Sequence, residues 1–233
     1  MLTVENLTKR FDGRTVLEDL DLIAAPGEIV ALVGEAASGK TTTLELCCGQ
    51  RAPDRGRVTV AGFDVNRDAA NACRHLAYLP SCPEFSVSRT GFTQVRESCM
   101  FFGRRIPESA LRAALVLGGI SVEWHDRKIG HYSTALRRQL ALVVAILMRP
   151  DVLLLDDPTR DLEPSETDKF VATLRRLRKR GATILLATRD LAFARRLATR
   201  IAVLERGSLV EVFDPNAPRH ATQANAYLAD LLT

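Results

Sequence analysis

The chain has 233 residues, long enough for one large α/β domain or a core with a small inserted subdomain, and its 46% hydrophobic and 26% charged residues are ordinary for a soluble globular protein. No apolar run approaches the roughly 18–20 residues of a membrane span, and the first residues lack the order of a signal peptide. The net charge of +4 includes a basic run at residues 174–180, explained more simply as a solvated helix face than as a nucleic-acid patch. We therefore expect a cytoplasmic protein without a nucleic-acid partner.

The cysteines give no sign of a metal or disulfide site. The sequence contains no C-x-x-C pair and no histidine at a metal-ligand spacing from the five cysteines, Cys47, Cys48, Cys73, Cys82 and Cys99. In a cytoplasmic protein this pattern favours reduced, mostly buried thiols.

In chain order, the predicted elements begin with an antiparallel strand pair at residues 2–11 and 16–23, joined at the turn signal Asp12–Gly13. Further strands are predicted at residues 29–33, 57–60, 75–79 and 152–155, then at 183–187, and finally as a hairpin at 201–204 and 208–212. Helices are predicted at residues 40–49, 94–102, 108–117, 136–148, 164–180, 190–198 and 221–232. Because strands alternate with helices, we expect an α/β fold with a mainly parallel sheet and a helical insertion within residues 80–130.

The most specific motif is a phosphate loop between the strand at residues 29–33 and the helix that follows. It reads G-E-A-A-S-G-K-T and matches G-x-x-x-x-G-K-[ST] in the strand–loop–helix context that the motif requires. The backbone N–H groups of such a loop bind phosphate, Lys40 can reach the terminal phosphates, and the Thr41 hydroxyl can ligate Mg²⁺. The predicted nucleotide-binding residues are Gly34, Glu35, Ala36, Ala37, Ser38, Gly39, Lys40, Thr41 and Thr42.

A second acid completes the predicted metal site. The aliphatic run V-L-L-L-D at residues 152–156 ends in Asp156. Any buried strand can end in an acid, but phosphate-loop proteins use one at this place to hold Mg²⁺ from the second side. Together with the upstream phosphate loop, the run predicts Asp156 as a metal-binding residue.

Four segments together resemble the ATP-binding-cassette (ABC) ATPases, the nucleotide-binding subunits of transporters. They are residues 34–41, 132–138, 155–164 and 185–191, and the likeness covers about residues 2–213. The resemblance implies that the nucleotide is ATP, that Phe11 stacks on its adenine ring, and that Ser133, Thr134 and Ala135 belong to the nucleotide-contacting signature. The segment V-R-E-S-C-M-F-F-G-R-R-I-P is most similar to the ATPases of drug- or polysaccharide-type exporters.

The resemblance also implies an architecture and partners. We expect a P-loop NTPase core with an N-terminal antiparallel β element and an inserted α-helical subdomain. The implied divisions are residues 1–80 (β element and phosphate-loop part of the core), 81–137 (helical subdomain), 138–213 (rest of the core) and 214–233 (C-terminal tail or helix). The implied partners are transmembrane permease subunits and a second ABC nucleotide-binding domain, from the same chain or a homologue. The subunit would lie peripherally on the cytoplasmic face of the membrane.

The chain departs from the family pattern at five places while keeping its phosphate- and metal-binding residues. The family's glutamine after Y-L-P is Ser81, its catalytic glutamate is Asp157, and its switch histidine is Arg189. The aspartate of the next loop is Glu163, and the signature S-G-G-Q is S-T-A-L at residues 133–136. The side chain of Asp157 is one methylene shorter than that of glutamate, and Ser81 lacks the reach of glutamine, so both groups are poorly placed to orient water.

These observations predict an ABC nucleotide-binding subunit that binds MgATP, couples nucleotide state to a membrane permease and hydrolyses ATP slowly, with Ser81, Asp157 and Arg189 as candidate catalytic residues. One alternative is an ordinary transport ATPase that tolerates the substitutions. A second is a non-hydrolysing pseudo-ATPase that acts as a regulatory or assembly subunit. A soluble ABC protein acting on nucleic acid is disfavoured, because one domain without a second cassette or a long basic insertion would have to do everything.

Overall fold

The structure, a computed structural model, describes residues 1–160, 162–215 and 217. Its strands are β1 (Leu2–Phe11), β2 (Arg14–Ala24), β3 (Ile29–Val33), β4 (Arg55–Val60), β5 (Phe63–Asp64), β6 (Leu76–Leu79), β7 (Val152–Asp156), β8 (Thr183–Thr188), β9 (Arg200–Glu205) and β10 (Ser208–Phe213). Its helices are α1 (Lys40–Cys47), α2 (Ala69–Arg74), α3 (Gly91–Phe101), α4 (Glu108–Leu117), α5 (Val122–His125), α6 (Thr134–Met148), α7 (Pro164–Lys179) and α8 (Leu191–Leu197). The helix predicted at residues 221–232 lies outside the described residues.

Six strands form the central sheet in the order β10-β9-β3-β8-β7-β6. All neighbouring pairs are parallel except β10 and β9, which form the expected terminal hairpin at one edge. Strands β3, β7 and β8 are buried along their whole length, because a parallel sheet is covered on both faces. The α/β fold with a mainly parallel sheet is therefore confirmed.

A second, antiparallel sheet covers one face of the first. Its order is β2-β1-β4-β5. Successive side chains of a strand point to opposite faces, and β3 shows this directly. Val30 and Leu32 pack in one hydrophobic cluster with β1, β2 and α1, whereas Ile29, Ala31 and Val33 pack in another with α7 and α8. The central sheet is thus the middle layer of the molecule.

Helices α3, α4 and α6 enclose a third hydrophobic cluster, which includes Val95, Leu111 and Leu115. Helix α6 belongs to two clusters at once, since Leu140 faces this third cluster and Leu142 faces the cluster on the central sheet. The helical insertion is therefore attached to the sheet through α6.

The structure and the sequence prediction differ most at the starts of two helices, and capping residues explain both differences. Helix α3 begins at Gly91 rather than at residue 94, because the Thr90 hydroxyl accepts a hydrogen bond from the Thr93 N–H at 3.1 Å. Helix α6 begins at Thr134 rather than at residue 136, because the Ser133 hydroxyl accepts a hydrogen bond from the Leu136 N–H at 3.2 Å.

The sequence prediction missed β5, α2 and α5, which are too short to show a hydrophobic period.

The cysteines are all free in the structure, but the expectation of mostly buried thiols is wrong for Cys73 and Cys82, which are exposed. Among the described residues, no group of three or more potential metal-ligating side chains occurs. Within the same part of the chain, none of the helices has the length and apolar character that crossing a membrane requires.

The packing of α3 against residue 132 yields a stability prediction. A Cβ atom at Gly91 would lie 2.1 Å from Tyr132 Oη, whose hydroxyl donates to the Trp124 carbonyl oxygen at 2.5 Å. We expect Gly91→Ala to lower the free energy of unfolding by about 1–3 kcal/mol through overpacking. Urea unfolding of Gly91→Ala, Tyr132→Phe and the double variant measures the coupling. The alanine should cost less when the tyrosine oxygen is gone, and an equal cost in both backgrounds would contradict this interpretation.

Candidate functional site

The phosphate loop joins β3 to α1 and depends on two glycines. A Cβ atom at Gly34 would lie 2.2 Å from the Leu204 carbonyl oxygen, so the backbone passes too close to β9 for any side chain. Gly39 has φ of 107°, a left-handed conformation, and a Cβ atom there would lie 2.6 Å from Leu17 Cδ2. The loop can therefore present backbone N–H groups inward at the start of α1, which suits an anion.

Lys40 lies across this loop. Its ammonium donates to the carbonyl oxygens of Gly34 at 2.7 Å and Glu35 at 2.5 Å, and to Ser38 Oγ at 3.2 Å. Burial lowers the pKa of Lys40, and the nearby Asp157 carboxylate opposes that shift. All three hydrogen-bond acceptors are uncharged, so the ammonium would gain charge-assisted bonds from an anionic ligand.

Thr41 and Asp156 form the second part of the site. The Thr41 hydroxyl donates to the Asp156 carboxylate, at 3.3 Å from Oδ1 and 3.1 Å from Oδ2. Asp156 ends β7 and is only 5% exposed, and burial raises its pKa while the Thr41 hydrogen bond opposes the rise. A hydroxyl and a carboxylate in contact are oxygen donors of the kind that Mg²⁺ prefers, so the residues fit this ion.

Asp157 and Arg189 lie in the loops after β7 and β8, at the same edge of the sheet. Both affect the pKa of Lys40 electrostatically, which places their charges near the phosphate loop. Asp157 has φ of 46°, and its N–H donates to the Ala187 carbonyl oxygen at 2.8 Å. Arg189 is exposed. The structure therefore brings two of the three candidate catalytic residues to the predicted site.

Phe11 and Ser81 have different surroundings. Phe11 is half-buried at the end of β1, with Lys9 Nζ 5.4 Å and Arg51 Cζ 5.1 Å from its ring centroid. Both cations lie over the ring at cation–π distance. Ser81 is half-buried after β6, and its carbonyl oxygen accepts a hydrogen bond from Arg138 Nη2 at 2.6 Å.

The predicted signature lies at the start of α6. Ser133 caps α6 and is exposed, as is Thr134, and Ala135 is half-buried. None of the hydrogen bonds found among the described residues joins these three to the loop around Lys40. Among the described residues, α6 is connected to one other candidate site residue, Ser81, whose carbonyl oxygen accepts from Arg138.

Two neighbouring residues of α6 that the sequence reasoning missed make connections to the core. Arg138 is only 2% exposed and bonds to the Ser81 carbonyl oxygen, and Gln139 Nε2 donates to Glu166 Oε1 of α7 at 2.8 Å. The sequence carried a signal for Arg138, which lies beside the apolar stripe of the predicted helix. An arginine in such a place is rarely buried unless it has a specific hydrogen-bond acceptor. The run E-P-S-E at residues 163–166 marked Glu166 as part of a helix start, because a glutamate three residues after the N-cap completes a capping box, whereas no such signal marked Gln139.

Known proteins similar to this chain share one family. A sequence profile described as "ABC transporter" matches residues 17–160. The Nod factor export ATP-binding protein I of Burkholderia lata is 35% identical over 91% of this chain and 70% of its own length. The probable anion import ATP-binding protein of Haloferax volcanii is 34% identical over 90% of this chain and 79% of its own. A solved dimeric ATP-binding cassette, bound to ADP and Pi after hydrolysis, has the same fold, with a TM-score of 0.85, 21% identity and coverage of 93% and 100%.

The raised pKa of Asp156 leads to a prediction about stability. In the folded protein this carboxylate is buried, so its charge opposes folding at pH 7 in the absence of metal and nucleotide. Asp156→Asn keeps an acceptor for the Thr41 hydroxyl but removes the charge, and should therefore raise the Tm of the nucleotide-free protein in EDTA. Because the folded-state pKa lies above the unfolded value, the gain should be complete above the folded-state pKa and shrink as the pH falls toward 3.8.

Asp54→Asn is the matched control. The backbone N–H of Arg10, which donates to Asp54 Oδ2 at 2.6 Å, holds the pKa of this exposed carboxyl below its usual value. Its charge therefore stabilises the fold above the unfolded pKa, and this substitution should lower the Tm at pH 7. Thermal melts between pH 3.8 and pH 7 measure the change in Tm for both variants. A lower Tm for Asp156→Asn at pH 7 would contradict the role given to burial.

Proposed function

The chain belongs to the ABC transporter family as an ATP-binding subunit, and from this premise we propose that it binds MgATP and couples nucleotide binding, with slow hydrolysis, to a membrane permease. The observation that carries the proposal is the joined geometry of Lys40, Thr41 and Asp156 at the end of the central strands. The residue proposed to bind phosphate, Lys40, and the pair proposed to hold the metal, Thr41 and Asp156, thus lie at the same edge of the central sheet.

Each residue of the site has a proposed role. The loop N–H groups from Gly34 to Thr42 bind the phosphates, and Lys40 binds their terminal oxygens. Thr41 and Asp156 hold Mg²⁺, which, when bound, neutralises charge on the phosphate oxygens. Phe11 stacks on adenine through its half-buried aromatic ring.

Slow turnover follows from the groups that would act on water. Asp157 is the proposed base or orienting group, but its carboxylate ends one methylene earlier than that of glutamate. Arg189 supplies positive charge near the phosphates, yet a guanidinium accepts no hydrogen bond from water. Ser81 presents a short side chain, and its carbonyl is already bound by Arg138.

Two partners complete the proposed assembly. Among the described residues, no hydrogen bond joins the signature residues Ser133, Thr134 and Ala135 to their own phosphate loop, so we propose that they contact the nucleotide of a second cassette, as a dimeric relative of the same fold suggests. The names of the relatives support a transporter, and hence permease subunits at the cytoplasmic face of the membrane. Residues 81–137 would be the helical subdomain, residues 1–80 and 138–213 the ATP-binding core, and residues 214–233 a C-terminal tail.

Removal of the Lys40 ammonium tests nucleotide binding. A phosphate-bound ammonium contributes about 1.5–3 kcal/mol, so Lys40→Ala should weaken binding of a fluorescent, non-hydrolysable ATP analogue by about ten- to hundredfold. Lys179→Ala, at the exposed end of α7, is the matched control and should bind as the wild type does. Equal affinities for the wild type and Lys40→Ala would refute the proposed site.

Restoration of the family residues tests the cause of slow turnover. Asp157→Glu combined with Arg189→His should raise kcat by up to about a hundredfold and leave ATP affinity nearly unchanged, because the restored contacts belong to the transition state. A small loss of stability is expected, since glutamate tolerates the left-handed backbone of residue 157 less well than aspartate. Steady-state phosphate release and analogue titration measure the two parameters. An unchanged kcat would favour the pseudo-ATPase alternative or point to the signature as the limiting element.

A further inference from the structure

One carboxylate joins α6 to the loop after β7. Gln139 Nε2 donates to Glu166 Oε1 at 2.8 Å, and the backbone N–H of Glu163 donates to Glu166 Oε2 at 3.0 Å. Glu163 is the N-cap of α7, and Glu166 completes its capping box. The two oxygens of Glu166 therefore bind one group on each side of the junction.

Between β7 and α7, the described residues 157–160 and 162–163 are held by hydrogen bonds at two places. Next to β7, the Asp157 N–H donates to the Ala187 carbonyl oxygen of β8 at 2.8 Å, and the Arg160 N–H closes a turn on the Asp157 carbonyl oxygen at 3.1 Å. Next to α7, the Glu163 N–H is bound by Glu166. A displacement of Glu166 therefore moves one of the two anchors of the loop that carries Asp157.

The junction is partly shielded from water. Gln139 and Glu166 line a small cavity together with the apolar side chains Leu142, Leu162 and Phe170. Gln139 Oε1 is buried and accepts no hydrogen bond from the described residues. In such surroundings the hydrogen bonds to Glu166 are stronger than at a free surface, and loss of one partner is costly.

We propose that Glu166 is a positioning residue that couples the signature-bearing helix α6 to the loop of Asp157. The inference rests on the proposed function, in which Ser133 contacts the nucleotide of a second cassette and Asp157 acts at the chain's own nucleotide. The Gln139–Glu166 bond then connects the two nucleotide sites that one chain serves. A shift of α6 on contact with the second cassette changes the placement of Asp157, and so changes turnover rather than nucleotide affinity.

Exchange of the two side chains tests the link. Gln139→Glu places two carboxylates against each other and should displace Glu166. In the double variant Gln139→Glu, Glu166→Gln, the new glutamine can accept from the Glu163 N–H and donate to the new glutamate, so all the bonds can re-form. Glu166→Gln alone is the mild control, because the Gln139 amide can turn its free Oε1 toward the new donor.

Hydrogen exchange of the amides at residues 157–163 and analogue binding are measured on the full chain, with kcat and KM for ATP. For Gln139→Glu we expect exchange at Glu163 to rise about two- to tenfold, from the loss of one capping bond, with kcat reduced and KM and analogue affinity unchanged. The double variant should restore exchange and kcat to within about twofold of the wild type. This rescue separates positioning from a general loss of packing.

Unchanged exchange in Gln139→Glu, or failure of the double variant to restore it, would overturn the proposal. These readings do not require turnover, so they decide the link even in a chain that hydrolyses no ATP. Failure of the wild type to bind the analogue would refute the proposed function instead, while the exchange data would still show whether Glu166 holds the loop.

Discussion

The register of three parallel strands is the constraint on which the site depends. In the central sheet, β8 pairs with both β3 and β7. Thr188 of β8 pairs with Val33 of β3, and Ala187 of β8 pairs with Asp156 of β7. The three strands therefore end within one residue of each other at the same edge. Everything attached to those ends, including the phosphate loop, the acid proposed to bind metal and both later loops, is brought together by backbone pairing alone.

Charges of both signs lie at this edge. The charges of Arg189, Asp156, Asp157 and Glu35 all act on Lys40, and burial shifts the pKa of Lys40 down and that of Asp156 up. Both shifts disfavour the charged forms of these two groups. A ligand with negative oxygens and a divalent cation would offset this cost on both sides, which is the physical basis for nucleotide binding as the proposed function.

Helix α6 relates this site to the rest of the molecule. Its start carries Ser133, its next turn contacts the core through Arg138 and Gln139, and its later residues pack in two hydrophobic clusters. Arg138 binds the carbonyl of Ser81, and Gln139 binds Glu166. The substituted Ser81 therefore still participates through its backbone, an interaction that does not depend on the side chain that the family pattern would place there.

The sequence by itself determined the sheet class, most strands and long helices, the phosphate-loop motif and the acid at the end of β7. These features are local, because a strand, a glycine-rich turn and a helix start are encoded in adjacent residues such as Gly34, Gly39 and Lys40. Only the tertiary structure decided which strands are neighbours, that Gly34 passes beside Leu204, and that Glu166 bonds both Gln139 and Glu163. Those contacts join residues far apart in the chain, and no local pattern specifies a partner whose position depends on how the layers pack.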